Sequence, residues 1–63
     1  MVKPTMTPLD SKGSRNAHCK VVLVRFRGEC ATFIYNETDG AYYLGHYFGD
    51  DLAAARIDFT KRQ

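Results

Sequence analysis

The sequence predicts an α+β fold: a three-stranded antiparallel meander with one C-terminal helix packed on one face, in the order β-β-β-α, behind a disordered N-terminal arm. Three observations carry this. The runs "CKVVLVRFRG", "ECATFIYNET" and "AYYLGHYF" are rich in β-branched and aromatic residues and are separated by glycine-bearing turns. The segment "DDLAAARIDFTKR" opens on acids and closes on bases, as the helix dipole prefers. The composition changes at Ala17, from a polar stretch on its N-terminal side to an apolar-rich one on its C-terminal side.

In chain order, residues 1–16 hold both prolines, a Gly-Ser pair and few side chains worth burying. Such a stretch does not offset its own ordering entropy and reads as a flexible arm. Residues 17–63 then form one small domain. The first strand ends at Gly28, and a tight turn at Gly28 and Glu29 leads into the second. Asp39 and Gly40 form the next turn, since Asp-Gly between two strand-like runs is a strong hairpin signal. The third strand stops at Gly49, and Gly49 or Asp50 caps the helix. Leu52, Ala55 and Phe59 recur at helical spacing as its buried stripe.

These turns set a register in which Thr32 faces Tyr47, Ile34 faces Gly45, Arg25 faces Thr32 and Leu23 faces Ile34. Side chains alternate across a sheet, so two faces emerge. One holds Val22, Val24, Phe26, Ala31, Phe33, Tyr35, Tyr42, Leu44, His46 and Phe48. The other holds Val21, Leu23, Arg25, Arg27, Cys30, Thr32, Ile34, Asn36, Tyr43, Gly45 and Tyr47. The first is the more apolar, so the helix is expected there. The second is left uncovered, neither polar enough to be inert nor apolar enough to be a second core.

Chemistry finds little support in the residues. His18, Cys19, Cys30 and His46 occur in an order that matches no usual zinc spacing, so no metal is expected. Cys19 and Cys30 fall at opposite ends of the first hairpin, beyond disulfide reach, and read as reduced thiols. His46 reads as a core-edge histidine. Asp50 and Asp51 are accounted for by helix capping, and Glu37 and Asp39 by turn formation. No glycine-rich phosphate loop is present. No catalytic residue and no cofactor are expected, and an enzyme is not the reading.

Binding remains. A chain of 63 residues with nine Lys+Arg and seven Asp+Glu has a formal charge of +2, too mild to imply nucleic acid by itself. No apolar run approaches the roughly 18 residues of a membrane span, and no secretory signal is visible, so a cytoplasmic protein that does not engage a membrane is expected. Tyr and Arg anchor interfaces because they bury rigid surface and also hydrogen-bond. Arg25, Arg27, Thr32, Ile34, Tyr43 and Tyr47 are therefore the expected partner-binding set, docking stoichiometrically on a larger protein. Size and lack of chemistry alone compare this with small phage-type inhibitors of host or defence enzymes. The alternatives are a homodimeric structural domain and, less favoured, a sheet that stacks single-stranded nucleic acid.

Overall fold

The structure, a computed structural model, describes residues 6–63. Its antiparallel sheet keeps chain order through β1 (Met6–Gly13), β2 (Cys19–Phe26), β3 (Glu29–Asn36) and β4 (Ala41–Tyr47), with helix α1 (Leu52–Lys61) after it. The α+β class and the C-terminal helix are as the sequence predicts. The sheet has four strands rather than three, and the added one lies within the stretch read as an arm. Residues 1–5 of that stretch lie outside the described residues.

β1 forms on sparse local signal because it is an edge strand with a single neighbour. It pairs with β2 from Met6↔Phe26 to Gly13↔Lys20, with a bulge between Pro8 and Asp10. An edge tolerates Pro8 and a mostly exposed polar sequence, where a central strand would not. Two local devices fix it. In the turn, Asn16 Oδ1 accepts from the His18 N–H at 3.0 Å, and the Asn16 carbonyl accepts from the Cys19 N–H at 3.0 Å. From the strand itself, Lys12 Nζ donates to the Thr60 carbonyl at 3.0 Å and lies 5.1 Å from the Phe59 ring centroid. That carbonyl belongs to the last turn of α1, whose acceptors lack partners within the helix.

Both later turns differ from expectation, and the register moves with them. The β2–β3 turn is Arg27 and Gly28, both at positive φ (54° and 79°), as a mirror-image two-residue hairpin turn demands. Phe26 therefore pairs with Glu29, Leu23 with Thr32, and Arg25 with Cys30. The β3–β4 connection takes four residues, 37–40, not two. Asn36 Oδ1 accepts from the Thr38 N–H at 2.8 Å, Asp39 Oδ1 from the Ala41 N–H at 3.0 Å, and Gly40 sits at φ 70°. Two short polar side chains thus hold a wider loop in place of an Asp-Gly turn.

β4 contains the largest departure. It pairs as Tyr35↔Tyr42 and Ile34↔Tyr43 near its start but as Thr32↔His46 and Ala31↔Tyr47 near its end. One extra residue has entered the strand between these pairs, with Leu44 at φ 54° and 72% exposed. A single inserted residue reverses the parity of every position beyond it. Tyr47 consequently leaves Thr32 and joins the side of Ala31 and Phe33, while His46 turns to the side of Thr32.

The helix covers the face opposite to the one expected. Val21, Leu23 and Cys30 form one buried cluster with Ala55 and Phe59, flanked by Ile34, Phe48 and Leu52. The physical reason is size rather than polarity. This side of the sheet carries small or branched side chains, on which an Ala-rich helix lies close. The other side carries bulky rings that pack on each other. α1 begins at N-cap Asp51, whose carboxylate accepts from the Ala54 N–H at 3.0 Å, one residue later than expected. Among the described residues, no helix is long and apolar enough to cross a membrane.

A truncation checks the place of β1 in the fold. Removing residues 1–13 strips Met6 from its place beside Val24, Ala31 and Phe33 and Lys12 from the helix end. Cooperative thermal unfolding, followed by circular dichroism, should be lost. A midpoint equal to that of the full chain would show that β1 contributes nothing.

Candidate functional site

The uncovered face of the sheet is an aromatic layer assembled from three strands. Phe33, 6% exposed, lies at its centre beside the buried Val24 and Ala31, with Met6, Val22 and Phe26 packed around them. Tyr42 and Tyr47 each stand edge-on to Phe33, with centroids 5.7 Å away and interplanar angles of 71° and 88°. Phe26 does the same from β2 at 6.5 Å, and Tyr35 leans on Tyr42 at 4.9 Å. Edge-to-face pairs of this kind each add about 0.5–1.5 kcal/mol beyond the area they bury.

Gly45 makes this arrangement possible. A Cβ at that position would fall 2.5 Å from Phe33 Cε1, so the Phe33 ring occupies the space a side chain would need. The glycine and the residue before it, Leu44, thus have linked roles. The extra residue brings Tyr47 onto the same side as Tyr42, and the missing side chain admits Phe33 between them. Tyr42 remains 45% and Tyr47 56% exposed, so the layer is finished at its floor and open at its rim. Arg27 adds a cation 5.3 Å from the Phe26 ring centroid, and Lys20 pairs with Glu37 at 3.5 Å.

The six residues expected to bind a partner do not share this face. Tyr47 belongs to it, and Arg27 reaches it from the turn. Thr32 is fully buried beneath the helix and Ile34 packs against the helix-side cluster. Arg25 is exposed but alternates with Val21 and Leu23 on the helix side. Tyr43 pairs with Ile34 on that side, and its hydroxyl donates to the Asp39 carboxylate. That bond holds the Tyr43 phenol above its ordinary pKa and the Asp39 carboxyl below its own. Sequence reasoning misses Phe26, Phe33 and Tyr42 as members of the open face because it places the helix over them.

A polar cluster sits where the helix meets the sheet. Asp58 Oδ2 accepts from the Thr32 hydroxyl at 2.6 Å and lies 3.0 Å from His46 Nδ1. Arg62 Nη1 donates to Thr32 Oγ1 at 2.9 Å and to the Thr32 carbonyl at 3.3 Å. A hydroxyl, an acid and an imidazole are all present, yet the hydroxyl donates to the acid and not to the imidazole. Thr32 is also fully buried, so the group is not placed to be activated or reached as a nucleophile. The arrangement satisfies a buried hydroxyl and ties β3, β4 and α1 together. Burial is the strongest influence on the Asp58 carboxyl and pushes it up. The Thr32 hydroxyl, His46 and the Arg62 charge together outweigh that and hold it below its ordinary value.

Cys19 and Cys30 are both free thiols, placed opposite Asn36 and Arg25 at distant points of the β2–β3 ladder. Among the described residues, no group of three or more His, Cys, Asp or Glu side chains gathers in a way that could hold a metal ion. A depression on the outer side of α1 is lined by Arg56, Ile57, Thr60 and Lys61 and is open to solvent. No protein-family model, curated protein or solved structure matches the chain.

Two measurements check these assignments. Asp58 contributes stability that is present above its unfolded value of 3.8 and is lost as pH falls through its lower folded value. Wild-type stability in urea should therefore decline as pH drops below 3.8. Asp58→Asn should show a shallower acid decline with lower stability at neutral pH. An unchanged acid limb in the variant would dismiss the cluster as a tie. Separately, Gly45→Val should destabilise by about 1–3 kcal/mol, the range for forcing extra atoms into a packed site. A neutral effect in denaturant titration would mean that Phe33 does not lie on Gly45.

Proposed function

We propose that the chain is a non-catalytic protein-binding module that docks stoichiometrically on a larger protein through the open face of its sheet. The observation that carries this reading is the half-exposed pair Tyr42 and Tyr47, held edge-on to a buried Phe33 on a face that no element of the described chain covers. Rings fixed by their neighbours lose little freedom on binding and bring large apolar area with a polar tip, which is why tyrosine is enriched at interface anchors. Arg27, stacked over Phe26 at the rim, fits the same pattern.

The sheet edges favour docking by the face. β1 carries Pro8 and a bulge, and β4 carries the bulge at Leu44 and Gly45. Both devices blunt strand addition, the usual alternative for an exposed sheet. Single-stranded nucleic acid is the weaker reading. The basic groups near the rings are few, and Lys20 is already paired with Glu37.

Affinity capture from a lysate with the wild type identifies the partner, and purified partner then allows titration. Tyr47→Ala should weaken binding by about 1–3 kcal/mol, whereas Arg25→Ala, on the helix side, should leave it unchanged. The opposite pattern would place the docking surface on the helix side. An affinity that falls steeply with salt on an RNA or DNA strand, with no protein captured, would select nucleic acid.

A further inference from the structure

We infer that a second copy of this chain occupies the open face when no larger partner is bound, forming a two-fold symmetric sandwich of helix, sheet, sheet and helix. The inference rests on the reading of that face as the working surface and names its first occupant. Four observations carry it.

The first is continuity of apolar surface. Met6, Val22 and Phe26 are only partly covered and run without a break into Val24, Ala31 and Phe33, then to Tyr42 and Tyr47. Sheets that present such faces pack on one another at about 10 Å, with inner side chains interdigitating. The second is extent. The face spans four strands of seven or eight residues, which at about 4.8 Å between strands and about 3.3 Å per residue is roughly 500 Å² in plan. That lies at the low end of specific interfaces, the size expected of a pair that exchanges readily.

The third is the state of the edges. The bulges in β1 and β4 and Pro8 oppose growth of the sheet from either side, so two copies meet through their faces. The fourth is charge. Lys20 pairs with Glu37 at one margin of the face, and Arg27 and Glu29 neighbour each other around the β2–β3 turn at another. An isologous interface sets the same patch against itself, so it must not present a block of one sign. Margins that each hold both signs meet that condition.

The need is also energetic. The core of this small domain is divided between two sides of one sheet, with α1 sealing only one of them. Domains of this size commonly draw on oligomerisation, a metal or disulfides, and the two cysteines here are free. Pairing of the open faces supplies the missing layer. A larger partner then competes with the second copy for the same rings, so docking requires the pair to separate.

Sedimentation velocity over micromolar to submillimolar concentrations tests this with four proteins: the wild type, Tyr47→Asp, Tyr42→Asp and Ile57→Asp. Tyr42 and Tyr47 are half-exposed, and Ile57, 57% exposed on α1, is the control away from the face. Circular dichroism confirms that each is folded. The expected result is a concentration-dependent dimer for the wild type and Ile57→Asp, with a dissociation constant raised at least about tenfold in both tyrosine variants. A wild type that stays monomeric throughout overturns the dimer and leaves docking on a larger protein standing. A dimer that survives both tyrosine variants but is broken by Ile57→Asp also overturns it, by moving the contact to the helix. Failure of the docking reading shows elsewhere, as full partner affinity in Tyr47→Ala, and leaves the sedimentation result untouched.

Discussion

A single ten-residue helix can shield only one side of a four-stranded sheet, and most of this structure depends on which side it shields. α1 lies on Val21, Leu23, Cys30 and Thr32, where side chains are small or branched and Ala55 sits with no exposure at all. Close approach there lets Asp58 reach the Thr32 hydroxyl and lets Arg62 reach the same residue from the helix end. The rings are thereby left to the opposite side. They exclude water from Val24 and Ala31 largely by leaning on one another, which is why that face is both partly sealed and still available.

The polar contacts around α1 act as much on specificity as on stability. Apolar burial alone leaves an Ala-rich helix free to slide or rotate on a smooth sheet. The Thr32–Asp58–His46 contact, the Arg62 fork and the Lys12 bond to the Thr60 carbonyl fix three separate points along it. Of these, the two contacts to Thr32 involve a fully buried residue, whose hydroxyl would be left unsatisfied if the helix shifted. That penalty, about 1–3 kcal/mol for a buried group, discriminates between otherwise similar packings.

Much of the architecture is legible in the sequence. The three apolar runs end within a residue or two of β2, β3 and β4, and Leu52, Ala55 and Phe59 do form the inner stripe of α1. β1 is not legible from composition, because an edge strand needs only half the usual pairing and can be written in Pro, Asp, Ser and Lys. The "SRN" turn before β2 is the signal that points to it. The covered face is misread when apolar content is weighed without side-chain size. Taking Asp39 and Gly40 as a two-residue turn displaces the β3–β4 register by two residues but leaves every side chain on its own face. Tyr47 falls on the wrong side because of the bulge alone, and the bulge's only mark in the sequence is Gly45.

The bulge also says something about how such a protein changes over generations. Point substitutions in β4 alter one side chain at a time and leave each on its own layer. Loss or gain of one codon near Leu44 would instead transfer the whole downstream half-strand between layers, sending Tyr47 toward Asp58 and His46 toward Phe33. A lineage carrying this sheet therefore has an abrupt route to a new recognition surface, in which length and not chemistry is the inherited variable.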